Sequence, residues 1–288
     1  MDFQIYEVTP RDGLQGLDTI IPTTDKITLI DMIVNAGMKR IEVGAFVHTQ
    51  LVPNMADSEL VLKRAMQKHP DCELAILIPN KKGMEKAKQR GVERFNIFMS
   101  PSEGFTFSNH NDTRANVFSN YCEIMKDIPK RDVRVYLSCV FGCPIDGKIK
   151  EDKLVESLRW AETFGDTIVL SDTAGQATCE HIEDVVRLIR KAEITSNIAL
   201  HLHHGENDVP MTDKLDSAFF MGVREFDSCI MGIGGCPFVN GSGGNLSTEE
   251  LVYWGLKNGL DCGVYPENLT VVEDFMVSKL QEQLKILA

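Results

Sequence analysis

The chain has 288 residues, enough for one large core and within the span of a single α/β barrel. With 43% hydrophobic and 25% charged residues, it is composed like a folded globular chain and not like a disordered one. A formal net charge of −12 argues against a nucleic-acid partner, which needs a basic footprint. An anionic small-molecule substrate stays open, because one arginine or metal ion can dominate a local site. The eight cysteines are read mostly as packing residues, since the C-x-x-x-C spacing of Cys139 and Cys143 matches no common zinc pattern. The opening MDFQIYEVTPRDG carries no apolar signal segment and no run is long enough to span a bilayer, so a reduced cytoplasmic setting without a membrane partner is expected.

In chain order, short β-branched runs alternate with helix-patterned stretches. Strands are predicted over Phe3–Val8, Arg40–Phe46, Glu73–Ile78, Arg94–Met99, Val133–Val140, Thr167–Ser171, Ile198–His203 and Glu225–Met231. Helices are predicted over Asp25–Ala36, Ser58–Lys68, Lys81–Arg90, Thr113–Ile128, Glu151–Phe164, Cys179–Lys191, Pro210–Met221 and Thr248–Asn258. Gly37, Gly91, Gly165 and Gly222 each follow a helical stretch, where a left-handed cap favours glycine. Eight strand–helix units in unbroken series indicate a TIM (β/α)8 barrel over residues 1–265. A doubly wound sheet is disfavoured, because the first strand runs into Thr-Pro-Arg-Asp-Gly and not G-x-G-x-x-G. Residues 266–288 read as an appended C-terminal helix with an apolar stripe through Val271, Phe275, Leu280 and Leu284, suited to capping the barrel bottom or to a homo-oligomer contact. No linker interrupts residues 1–288, which read as one domain.

A barrel of this kind carries its chemistry at the C-terminal ends of its strands. The first strand leads into Arg11-Asp12, the second carries Glu42, the sixth ends in Asp172 and the seventh in His201-Leu202-His203. Because strand side chains alternate, Ile198, Leu200 and Leu202 face the helix shell, while His201 and His203 project together into the mouth. Two imidazoles so placed can bind one metal ion through a nitrogen each. Asp12 is the natural carboxylate partner, and an oxygen-rich shell favours Mg2+ or Mn2+. Arg11 offers a fixed cation for a carboxylate or a developing enolate oxygen. The stretch after the eighth strand has six glycines in residues 232–245 and carries Cys236, a thiol able to act as nucleophile or proton donor. Bland readings remain for single residues: Asp12 before Gly13 as a turn former, Arg11 as a solvated side chain, Cys236 as an incidental small residue.

Taken together, these segments resemble the 3-hydroxy-3-methylglutaryl-CoA (HMG-CoA) lyase family of the DRE-TIM metallolyase superfamily. The resemblance runs through EVTPRDGLQG, RIEVGAFVHTQLVPNMAD, YLSCVFGCPIDGKI, LSDTAGQ, LHLHH and GIGGCPFVNGSGGNLSTEELVY, in that order along the chain. It implies that Asp12, His201, His203 and Asn245 hold the divalent cation, Arg11 neutralises an enolate-like oxygen with Gln15 beside it, and Cys236 is the acid/base of a loop. Glu42, Asp172 and Glu249 match further family positions in or beside the site. The implied reaction cleaves an HMG-CoA-like thioester to acetoacetate and acetyl-CoA, with His201 or an aspartate as base. The chain departs from the family pattern at Gly16-Leu17-Asp18, Phe107-Ser108 and His204–Asp208, where two basic positions near the mouth are lost. These departures motivate an alternative, an aldolase or condensing synthase acting on a hydroxy or keto acid without CoA. A metal hydrolase, whose His-x-His lies on the first strand, and a non-catalytic binding descendant rank below both.

Overall fold

The computed structural model describes residues 1–205, 207, 209–234 and 243–284. Eight parallel strands close into a barrel in the order of the chain: β1 Gln4–Glu7, β2 Arg40–Ala45, β3 Glu73–Leu77, β4 Arg94–Met99, β5 Val133–Leu137, β6 Thr167–Ser171, β7 Asn197–His201 and β8 Glu225–Ser228. Closure pairs Gln4 through Glu7 of β1 with Glu225 through Ser228 of β8. The TIM barrel expected from the strand–helix alternation is the fold.

The shell helices are α1 Thr23–Asn35, α2 Ser58–Lys68, α3 Lys81–Gln89, α4 Glu103–His110, α5 Arg114–Ile124, α6 Glu151–Phe164, α7 Cys179–Lys191, α8 Met211–Phe220 and α9 Thr248–Lys257. α4 escaped the sequence reading because it is short, with Ser102 capping Phe105 N–H and Asn111 ending it at φ 52°. The caps at Gly37, Gly91 and Gly222 have φ of 101°, 68° and 94°, as expected. Gly165 does not: its φ is −129°, and a Cβ there would lie 2.6 Å from the Val133 carbonyl, so space and not handedness requires glycine.

The last helix, α10 Pro266–Leu284, packs along α1 and α9 on the flank of the barrel and not beneath it. Its start is tied to the end of α1 (Tyr265 N–H to Ala36 O, 2.8 Å), and Lys279 pairs with Asp25 at the other end of α1 (2.9 Å). Leu269, Val272 and Met276 form its buried face with Phe275 and Leu280 half-buried against the core, so of the predicted stripe these two pack inward while Val271 is exposed. Spacings of three and four residues keep Leu269, Val272 and Met276 on one side of a 3.6-residue turn. The Leu284 side chain lies outside the described residues.

Alternation along the strands gives the barrel an unusually polar interior. Gln4, Arg40, Glu42, Asn96, Arg134, Glu225 and Asp227 all face inward, beside a small cluster of the Tyr136 ring, Val169 and Ala199. At the N-terminal end lies a charged cavity of about 730 Å3 lined by Arg40, Glu73, Arg94, Arg134 and Glu225. Leu200 and Leu202 join the apolar layer against the helices, as the strand-seven alternation predicts. Among the described cysteines Cys139, Cys143 and Cys229 are buried, Cys122 is exposed and Cys72, Cys179 and Cys262 are half-buried, so the packing expectation holds for only part of the set. No helix among the described residues is long and apolar enough to cross a membrane.

Candidate metal centre and active site

β1 does not simply turn into a helix. The carbonyl of Val8 accepts from the N–H groups of Arg11, Asp12 and Gly13 at 3.1, 2.7 and 3.3 Å, closing a single wide π-helical turn over Thr9–Gly13. Such widened turns recur at functional sites because they re-aim side chains. Here the turn directs both Arg11 and Asp12 into the mouth, where each is more than nine-tenths buried. Arg11 forks between Glu42 and Asp12, while Glu42 also accepts from Asn96 Nδ2 at 2.7 Å. Gln15 donates to Asp12 Oδ1 at 2.9 Å.

His201 and His203 lie where the alternation places them. Their Nε2 atoms approach to 3.1 Å, and Asp12 Oδ2 stands 3.9 Å from His201 Nε2. One ligand atom from each of Asp12, His201 and His203 falls within 4.8 Å of the others, a group able to hold a metal ion. His203 Nδ1 faces the Thr173 carbonyl at 3.4 Å and His201 Nδ1 faces Asp227 at 3.2 Å, so each ring presents its other nitrogen to the centre. Burial would raise the Asp12 carboxyl, but Arg11 and the two imidazoles hold it below the ordinary carboxylate range. Burial, reinforced by His201, pushes His203 down to about 4, which keeps that ring neutral near neutrality and able to offer a lone pair.

Asn245 arrives by a different route. Beyond β7 the chain pairs antiparallel with the return from β8, His204 N–H to Gly244 O and Leu246 N–H to Leu202 O (both 2.9 Å), which sets Asn245 opposite His203. Its Nδ2 donates to Asp12 Oδ2 (3.0 Å) and to the Ile233 carbonyl (2.9 Å). Its Oδ1 is buried and has no hydrogen-bond partner among the described residues. An orphaned acceptor beside two imidazole nitrogens and a carboxylate fits a divalent cation.

The remaining predicted residues divide. Asp172 is buried after β6; its Oδ1 accepts from Gln176 and Ala177 N–H (2.7 and 3.0 Å), while Oδ2 has no partner among the described residues. Burial, only partly offset by those N–H groups and Lys214, raises it to about 6. Glu249 stands apart from the ligand group: both its oxygens accept from Met231 N–H (3.1 and 2.9 Å), at the start of the glycine-rich stretch. Burial raises it to about 7. Cys236 lies outside the described residues. Of the departing positions, Asp18 and Phe107 are exposed, and His204 pairs with Glu250 at 3.2 Å.

Sequence reasoning missed the residues that support these. Glu7, fully buried at the end of β1, accepts from Thr9 and from Thr248 Oγ1 (2.6 Å), and Thr9 Oγ1 in turn accepts from Ile230 N–H (2.7 Å). That network fastens the start of the glycine-rich stretch to the π-helical turn. Asp227 and Arg134, joined at 2.8 Å across the barrel, stand behind His201. The available signal was strand alternation: Glu225-x-Asp227 and Arg134-x-Tyr136 place polar groups at every second, inward-facing position.

A (β/α)8 barrel with a buried Asp–His–His cluster and an arginine at its C-terminal mouth defines the class, a barrel with an enzyme-like site able to hold a metal ion. The HMGL-like family model matches residues 2–276, and the chain belongs to that family. It is 36% identical over 283 residues to the mitochondrial hydroxymethylglutaryl-CoA lyase of Mus musculus, covering 97% of this chain and 86% of that protein. The cytoplasmic 3-hydroxy-3-methylglutaryl-CoA lyase of the same species is 33% identical, covering 91% and 76%. Among solved structures, the Bacillus subtilis HMG-CoA lyase superposes with a TM-score of 0.89 at 31% identity, covering 97% and 94% of the two chains. The Acinetobacter baumannii HMG-CoA lyase, solved with coenzyme A and 3-methylmalate, gives 0.88 at 30%, covering 96% and 90%.

Proposed function

We propose that this carbon–carbon lyase cleaves HMG-CoA to acetoacetate and acetyl-CoA, with Asp12, His201, His203 and Asn245 holding Mg2+ or Mn2+. The observation that carries the reading is the convergence of Asp12, His201 and His203 on one point, with Asn245 bonded to Asp12 and its Oδ1 without a partner among the described residues. When bound, the cation would supply Lewis acidity toward the substrate hydroxyl and an adjacent carbonyl oxygen. Arg11, gripped by Glu42 and Asp12, is pre-set to neutralise the oxyanion of the departing acyl fragment. Both nitrogens of His201 are engaged, one toward Asp227 and one toward the cluster, which leaves the hydroxyl proton to an aspartate. Asp172, raised to about 6 and with a free Oδ2, is ionised at neutral pH and suited to take it. Gln15 orients Asp12 and, with Arg11, faces the substrate. Cys236 is assigned the proton delivered to the enolate carbon, and Glu249 the anchoring of the stretch that carries it.

The exposed Phe107 and Asp18 favour the second reading, an aldolase or condensing synthase on an acid without CoA. One assay separates the two: turnover of HMG-CoA and of free hydroxy acids, with Mn2+ or with chelator, by wild type and Asp172→Asn. Metal-dependent release of acetyl-CoA, lowered roughly 100-fold in the variant, supports the lyase and its base. Turnover of only the free acids would sink the CoA assignment, and an unimpaired variant would sink the role of Asp172. A cytoplasmic location, consistent with seven described cysteines that are all free, is checked by fractionation.

A further inference from the structure

Behind His201 stands a second carboxylate that no substrate can reach. Asp227 projects inward from β8, is 1% exposed, and places Oδ2 3.2 Å from His201 Nδ1. Strand register makes them neighbours, since His201 on β7 pairs directly with Asp227 on β8. The other oxygen, Oδ1, accepts from Arg134 Nη2 at 2.8 Å, and the same nitrogen donates to Glu225 at 2.6 Å. Arg134 is held in turn by the face of Tyr6, 3.5 Å from its guanidinium carbon, and by Tyr136 Oη at 3.2 Å. The carboxylate therefore cannot rotate: one oxygen belongs to Arg134 and the other to the imidazole.

We propose that Asp227 is a positioning residue that fixes the His201 tautomer, with Arg134 orienting it, so that Nε2 carries the lone pair facing the metal centre. This rests on the metal reading above. A carboxylate can only accept, so a neutral His201 must carry its proton on Nδ1. The consequence is sharpest for Asp227→Asn. Arg134 can only donate, so the new amide must turn its oxygen to Arg134 and its NH2 to His201. That geometry demands an acceptor at Nδ1, moves the proton to Nε2, and points an N–H where the cation should bind. Alanine imposes neither tautomer.

The order of effects is thus opposite to that of a packing role. Mn2+ affinity should be highest in wild type, lower in Asp227→Ala, and lowest in Asp227→Asn, the last weakened about 100-fold, near the upper end of what a lost outer-shell partner costs. A packing role would make the larger excision, alanine, the worse of the two. Imidazole nitrogen shifts in metal-free, 15N-histidine-labelled protein at pH 8.5 read the tautomer directly. His201 protonated on Nδ1 in wild type and on Nε2 in Asp227→Asn supports the proposal, and an unchanged tautomer overturns it. This readout does not depend on metal. A wild type that shows the expected tautomer but binds no Mn2+ would instead overturn the metal reading.

Discussion

The two ends of the barrel interior are both crowded with charge, yet they are built on opposite rules. At the N-terminal end the arginines nearest the barrel axis meet anions: Arg40 pairs with Glu73 and Glu225, Arg94 with Asp132, and Arg134 with Glu225 and Asp227. At the C-terminal end the acceptors outnumber the donors: Arg11 and Gln15 hold Asp12 Oδ1, but Asp12 Oδ2 and the two Nε2 atoms face one another with only Asn245 Nδ2 donating among them, and Asn245 Oδ1 has no partner among the described residues. Like-facing acceptors in a buried place are costly unless something positive joins them. The comparison teaches which charges hold the fold and which await a ligand. Open volume alone does not mark the site, since a cavity of about 730 Å3 lies at the compensated end.

The largest effect should come from breaking the uncompensated end. Asp12→Ala removes one of the converging ligands and should lower turnover by about 1,000-fold or more, the scale of a lost Lewis acid. Its melting temperature should hardly move, because Arg11 keeps Glu42 as partner. Activity assays beside thermal melts check both; a large loss of stability with metal affinity intact would erase the distinction between the ends. Arg40→Met does the reverse. It strands Glu73, leaves Glu225 with Arg134 as its one cation, and should cost roughly 1–3 kcal/mol in urea unfolding, with kcat near wild type.

The smallest effect concerns Glu7, which ties the two loop systems together below the site. Burial, only partly offset by the Thr248 and Thr9 hydrogen bonds, raises it from 4.5 to about 7. A folded-state value above the unfolded one means the native chain binds more protons between those limits. Stability should therefore fall as pH rises from about 4.5 to 7 and level off beyond, by at most a few kcal/mol. Glu249 and Asp172, raised to about 7 and 6, add to the slope over the same range, so Glu7→Gln should reduce it by the share of one group. Urea midpoints at pH 5 and pH 8 that differ as much in the variant as in wild type would show that another group controls it.

Much of this was legible before any coordinates. Eight strand–helix units with their glycine stops pointed to the barrel, and the TPRDG end of β1 kept a nucleotide-binding sheet out. The places where the reading slipped have local causes. α4 was too short to show a helical period, and Gly165 is required by the nearby Val133 carbonyl, a contact with β5. On α10 the stripe was right at Phe275 and Leu280 but wrong at Val271, because Val271 and Val272 are equally apolar and only packing against α1 and α9 selects the second.

The sequence by itself determined which face of each strand a residue occupies, because the period of two is a property of the backbone. That is why His201 and His203 could be placed together in the mouth. Tertiary structure alone decided which residues of different strands stand level. Parallel neighbours are joined by long crossovers, and nothing local sets their register. Only barrel closure puts Asp227 beside His201, only the antiparallel return after β8 sets Asn245 opposite His203, and only the π-helical turn aims Asp12 between them.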